Sequence, residues 1–203
     1  MRPQTKLSQE KLTPKEAKEL LIEGNKRFVH NLKMMRNLKD QVLETSEGQF
    51  PFAIVHSCID SRVPIELVFD QGIGYIFSSR VAGNIINEDV LGSMEYSCKV
   101  AGSKIVVVMG HTKCGAVTAA CQDVKLGNIT PLLSKIRPAV ESIQKDNSEM
   151  NSETIEKVAV KNIQMSISNI RKESPILAEM ESKGEIEIVG ALYDVTNGQV
   201  NFL

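Results

Sequence analysis

Cysteine, aspartate and arginine take alternate positions in SCIDSRVP, as Cys58, Asp60 and Arg62, directly after the apolar run PFAIVH. Further along, GHTKCGA sets His111 and Cys114 three apart, with Gly110 and Gly115 allowing tight backbone. Thiolates and imidazole suit zinc, whereas magnesium and calcium select oxygen. Three protein ligands with one open position are the pattern of a catalytic zinc; structural sites close with four. Taken alone, H-x-x-C is better explained by a loop histidine beside a buried cysteine. Adding Cys58 from a second strand end reverses that preference and makes Cys58, His111 and Cys114 a candidate metal set, expected to hold one zinc per chain.

Asp60 is close enough to Cys58 to reach the same ion, and Arg62 can engage it bidentately. Zinc with two thiolates and a neutral imidazole sums to zero charge. Either Asp60 or a hydroxide in the fourth position then brings the site to a single negative charge, so the two compete. Arg62 can hold Asp60 off the metal and leave room for water, whose pKa zinc lowers from about 15.7 to about 7. Two thiolates donate charge and should lower it less than three histidines would. The plainer reading of Asp60 and Arg62 is a loop-ordering ion pair worth about 1 kcal/mol or less where exposed.

The remaining cysteines and histidines are read as structural. Cys121 follows Cys114 by two helical turns and competes as a ligand in principle, but sits in the apolar run AVTAAC. Cys98, in SMEYSCKV, is expected in the core. His56 shares a strand face with Cys58 and is expected to be buried and hydrogen-bonded, and His30 to lie on the surface. Four cysteines in 203 residues, with no C-x-x-C, are too few for a disulfide scaffold.

These residues need elements to bring them together. Four apolar runs read as buried strands: 52–57, 75–79, 104–110 and 185–195, the last expected to break at Gly190 and to return through an Asn197-Gly198 turn to QVNFL. Helical patterns lie between them. Thr13, Pro14 and Glu16 open a first helix ending near His30, Asn87 caps a second, and a third starts after His111. Helices near 129–146 and 151–172 follow, with a shorter one from Pro175. Strands alternating with helices imply an α/β fold with a mostly parallel central sheet flanked by helices. One domain is expected over 1–203, with an N-terminal helical arm over about 1–48 and a zinc-binding core over about 49–203. Ligands bind beyond the carboxyl ends of such strands. SCIDSR, SRVAGN and GHTKCG all follow strands, so they are expected at one edge.

Charge is nearly balanced, with 24 Lys and Arg against 25 Asp and Glu, and no basic run stands out, so a nucleic-acid partner is not expected. No apolar stretch approaches the ~20 residues needed to cross a bilayer, so no membrane partner is expected either. The start, MRPQTKLSQEK, has no apolar leader run, which gives a cytoplasmic expectation. A leader trimmed from the chain would leave the same start.

CIDSRVP together with GHTKCGAV resembles the β-class carbonic anhydrases, whose patterns run C-x-D-S-R and H-x-x-C. EGNKRF, FDQGIGYIF, RVAGNI, SMEY and GALYDVTNGQV are similar to bacterial members as well, so the resemblance is dense over about 16–127 and resumes near 189–200. It implies zinc on Cys58, His111 and Cys114. Asp60 is then either the fourth ligand or, paired with Arg62, an acceptor for the hydroxide. It also implies reversible hydration of carbon dioxide to bicarbonate and a proton by attack of zinc-activated hydroxide. N-terminal helices wrapping a partner subunit, and a homo-oligomer (dimer or tetramer), follow from the same likeness. By position, Gln49 matches the family's bicarbonate-contacting glutamine, and Phe77 and Tyr96 its cleft-lining aromatics. Tyr75 replaces a frequent Asp, Ser78-Ser79 a more apolar pair, and Ile59 a common Ser or Ala; the chain has no Trp, which fits the accessible-site subset. Two other expectations stand beside this one: the same zinc centre acting on carbonyl sulfide or carbon disulfide, and a non-enzymatic zinc or redox-sensing protein with a closed site. The Asp60–Arg62 spacing argues against the last, because a structural site needs no counterion for its fourth ligand.

Overall fold

The apolar runs alternate in the way a sheet covered on both faces requires. Ile105, Val107 and Met109 point to one face and Val106 and Val108 to the other, all fully buried. In a computed structural model, which describes residues 4–144 and 150–203, these runs form a five-stranded sheet of order β2-β1-β3-β4-β5. β1 spans Ala53–Ser57, β2 Ile76–Arg80, β3 Ile105–His111, β4 Glu187–Tyr193 and β5 Val200–Phe202. β2, β1, β3 and β4 are parallel, and β5 is antiparallel to β4. β1 is flanked by β2 on one side and β3 on the other, so the connections from β1 and into β3 diverge above it. That switch point is where α/β sheets place ligands.

α1 (Lys6–Lys11), α2 (Pro14–Val29) and α3 (Leu38–Glu44) precede β1. The expected cap of α2 is present, a capping box between Thr13 and Glu16 with Pro14 in the first turn. These helices lie against their own chain. Ala17 and Leu21 join the core on one sheet face. Gln9 Nε2 donates to the carbonyls of Pro51 and Ala101, and Asn25 Nδ2 to those of Val68 and Gly198. Within the segment expected as an arm, α1 and α2 thus make these contacts with their own chain.

The rest of the chain alternates as expected, apart from local differences. α4 (Ile65–Val68) links β1 to β2, and α5 (Glu88–Glu95), capped by Asn87, runs into a π-turn over Tyr96–Val100. α6 (Gly115–Cys121) follows β3. The expected helix over 129–146 is two: α7 (Ile129–Ser134) and α8 (Arg137–Gln144). Pro138 lacks the N–H that a helix interior needs and suits a first turn instead. Positions 145 and 146 lie outside the described residues. α9 (Ser152–Glu173) and α10 (Pro175–Ser182) complete the set.

β4 does not break at Gly190. A Cβ there would lie 2.8 Å from Ile163 of α9, and one at Gly110 of β3 would meet the same side chain at 2.8 Å. Both glycines are flat seats that let α9 lie close on the sheet. The closeness matters because α9 borders the candidate site.

Candidate metal centre

Parallel pairing of Ser57 with Met109 brings the carboxyl ends of β1 and β3 side by side. Cys58 follows β1, His111 ends β3 and Cys114 caps α6. Their ligand atoms lie within 4.8 Å of one another, and all three residues are buried. The Sγ atoms of Cys58 and Cys114 are 4.0 Å apart. Two thiolates about 2.3 Å from one tetrahedral zinc would be separated by about 3.8 Å. His111 Nδ1 is 2.9 Å from the Thr112 carbonyl and donates to it, which leaves Nε2 with a free lone pair. That Nε2 is buried and has no hydrogen-bond partner among the described residues. A buried nitrogen left unpaired beside two sulfurs is the donor set of a zinc site, and the residues fit the ion.

The thiols polarise each other. The hydrogen bond from Cys114 pulls the Cys58 thiol well below its ordinary value, helped by the Gly83 N–H at 3.3 Å. Cys114 is pushed up by the same pairing and by burial.

Asp60 is held by Arg62. Arg62 Nε and Nη2 donate to Oδ1 and Oδ2 at 2.9 and 2.7 Å, and the Arg62 backbone N–H donates to Oδ1 at 2.9 Å. Arg62 holds the carboxyl well below the usual carboxylate range. Asp60 Oδ2 remains 3.8 Å from His111 Nε2. The Asp60–Arg62 pairing expected from their spacing is present.

Several supports were not singled out from sequence. Arg80, at the end of β2, donates to the carbonyls of Cys58 (2.9 Å) and Asp60 (2.6 Å) and fixes the strand-end loop. Its signal was the position of SRVAGN after a strand. Gly83 adopts φ +67°, and a Cβ there would lie 2.5 Å from Ile136. The positive φ in H-x-x-C belongs to Lys113 (φ +54°) and not to its flanking glycines. Glu156 of α9 accepts the Lys113 N–H at 2.8 Å, and Asn162 of α9 donates to the Gly83 carbonyl at 2.9 Å. The only hint of these two was polar residues within an otherwise amphipathic helix.

His56 is buried between Ser79 Oγ (3.1 Å) and the Ile85 carbonyl (3.0 Å), as expected, and burial lowers its pKa to about 4. Cys98 is core, Cys121 is half-buried and His30 is exposed.

Gln49, Phe77 and Tyr96 do not meet the cluster within one chain. Gln49 is exposed before the amino end of β1, whereas Cys58 follows its carboxyl end. Phe77 and Tyr96 pack edge to face at 6.2 Å and line an open cavity of about 670 Å³ beside β2, together with Ile54, Ser79, Glu88 and Asp89. No residue of the cluster lines that cavity.

The fold and the cluster together define an α/β protein with a preformed Cys₂His ligand set at its switch point. Residues 53–200 match the family model for carbonic anhydrase. Carbonic anhydrase 2 of Mycobacterium tuberculosis is 31% identical over 192 residues, covering 92% of this chain and 91% of that protein. The carbonic anhydrase of Mycolicibacterium smegmatis is 30% identical, covering 92% of each. Among solved structures, the β-carbonic anhydrase CafA of Aspergillus fumigatus superposes with a TM-score of 0.75 at 28% identity, covering 81% of each chain. The β-carbonic anhydrase CcaA, at 24% identity and TM-score 0.76, shares the fold. The chain belongs to the β-class carbonic anhydrase family and is an enzyme of that family.

Proposed function

We propose that this enzyme catalyses the reversible hydration of carbon dioxide with zinc held by Cys58, His111 and Cys114. The observation that carries this is the unpaired, buried His111 Nε2 facing two thiols, with a restrained carboxylate 3.8 Å away. Zinc bound there supplies Lewis acidity that makes water a nucleophile near neutral pH. Asp60 Oδ2 accepts the hydrogen bond of the attacking water, turning a lone pair towards the carbon of carbon dioxide. Arg62 keeps that carboxylate ionised and fixes its direction, so its role is orientation. Ile85, Val117 and Leu133, packed in one cluster with both cysteines, exclude bulk water from the ligand side.

Asp60 is the acceptor in this reading and not a fourth ligand: Arg62 Nε and Nη2 hold its two oxygens, and Oδ2 keeps a second lone pair for the water. A homo-oligomer, dimer or tetramer, is proposed with it. β2 is an edge strand, and exposed Met35, Leu38, Leu67 and Ile73 lie in the segments leading to it. A second copy along that edge reconciles the distance of Gln49, Phe77 and Tyr96 from the cluster of their own chain with roles in a substrate cleft. No helix among the described residues is long and apolar enough to cross a membrane.

The test is zinc content together with stopped-flow carbon dioxide hydration across about pH 6.5–9. One zinc per chain and rates that rise with pH are expected. Bound zinc with background rates throughout overturns the reading. Carbonyl sulfide and carbon disulfide, assayed alongside, decide the substrate.

A further inference from the structure

We propose that Glu156 of α9 is a positioning residue for the Asp60–Arg62 pair, acting through the backbone of Lys113. The kinetic half of this proposal rests on the carbon dioxide chemistry above.

Lys113 lies between the two ligands of the H-x-x-C turn, at φ +54°. A lysine in the left-handed region is disfavoured and persists only where its surroundings over-determine it. Two contacts do so from opposite sides. Its N–H donates to Glu156 Oε1 at 2.8 Å, and its carbonyl accepts from Arg62 Nη2 at 3.2 Å. These groups belong to the two peptide planes that flank the Lys113 Cα. Holding both planes fixes the φ and ψ between them, and with them the carbonyl that Arg62 reaches. The same Arg62 Nη2 donates to Asp60 Oδ2 at 2.7 Å. The guanidinium is thus tied to Asp60 and to the ligand turn at once, and Glu156 sets where the turn lies.

Glu156 is itself well anchored. Val158 and Ala159 of α9 are buried in one cluster with Cys58 and Cys114. Glu156 Oε2 is shielded from solvent and has no hydrogen-bond partner among the described residues. A carboxylate oxygen kept from water without a partner costs stability. Here that cost accompanies a single backbone contact, the one that orders the metal-ligand turn.

The experiment uses the full-length zinc-loaded chain and the variants Glu156→Ala, Glu156→Gln, Arg62→Ala and the Arg62→Ala/Glu156→Ala double. Glu156→Ala is expected to lower kcat about tenfold with KM within about twofold and zinc content unchanged, as a lost positioning contact would. Glu156→Gln keeps an acceptor oxygen and is expected to recover to within about threefold of wild type. In the Arg62→Ala background, adding Glu156→Ala should change kcat by less than about twofold, because the residues then act as one unit. Independently of activity, Glu156→Ala should speed zinc transfer to the chelator pyridylazoresorcinol about tenfold, as a loosened supporting contact would. Should Glu156→Ala fail to fold, adding Lys113→Gly, for which positive φ is natural, is expected to restore the fold. Equal losses in both Arg62 backgrounds, a glutamine variant as impaired as alanine, an unchanged rate of zinc transfer, or no rescue by Lys113→Gly would each overturn the proposal. Absence of carbon dioxide hydration in wild type would overturn the proposed function alone, leaving zinc transfer to decide the role of Glu156.

Discussion

Arg62 meets Asp60 with two side-chain donors, Nε on Oδ1 at 2.9 Å and Nη2 on Oδ2 at 2.7 Å, so the carboxylate is fixed in direction as well as in charge. Arg62 is half-exposed, which makes the pair a weak source of stability and a strong source of orientation. Arg62→Ala is therefore expected to leave the fold and about one zinc per chain in place while lowering kcat by about tenfold or more. Zinc analysis and stopped-flow rates on the same sample check this. Unchanged turnover would remove Arg62 from the mechanism.

Gly83 carries two constraints at once, a φ of +67° and a neighbour, Ile136, that a Cβ would approach to 2.5 Å. Gly83→Ala is expected to destabilise the zinc-loaded protein by about 2 kcal/mol, through backbone strain and overpacking together. The Gly83 N–H also faces Cys58 Sγ, so zinc affinity should fall with stability. Urea unfolding and chelator competition read the two effects. An alanine variant with wild-type values in both would show that the turn relaxes without cost.

Burial lowers the His56 pKa to about 4, below the ordinary histidine value. Between those values the unfolded chain binds a proton that the native chain excludes, so stability rises with pH across that window. It is lost as pH falls from about 6.5 to about 4, up to about 3 kcal/mol in all, and above about 7 this contribution is flat. His56→Gln should reduce that slope. Urea denaturation of both proteins at about pH 4.5 and 7.5 measures it, and equal slopes would contradict the assignment.

Metal removal gives a fourth outcome. Without zinc, Cys58 is the thiol pulled down by its neighbours, whereas burial pushes Cys98 up to about 12. Iodoacetamide near pH 7 should label Cys58 ahead of Cys98 in chelator-treated protein, and restored zinc should protect Cys58 and Cys114. Half-buried Cys121 serves as the internal control. Labelling of Cys58 and Cys114 indifferent to zinc would exclude them as ligands.

The Cys58–His111–Cys114 cluster was readable because its chemistry is carried by side-chain type and by position at strand ends, and continuous β-branched runs mark such strands plainly. The capping box at Thr13 and the parallel order of strands follow from equally local signals. Gly190 misled because a glycine within a strand marks either a break or a close approach, and only the position of Ile163 distinguishes them. Pro138 split a helix whose apolar periodicity runs on across it. The roles of Glu156 and Asn162 left no mark beyond polar positions on an amphipathic helix. Each acts on a backbone group far away in sequence, and a backbone group has no residue type to announce it. Gln49, Phe77 and Tyr96 were expected at the site from the resemblance alone, and one chain does not bring them to its own cluster.

Cys58 and His111 stand at the ends of adjacent strands, but the chain visits β2 between making one and making the other. No segment emerging early in synthesis can assemble the three donors. Pairing of β1 with β3 is what brings the donors together, so a metal held by all three would report that this junction has closed.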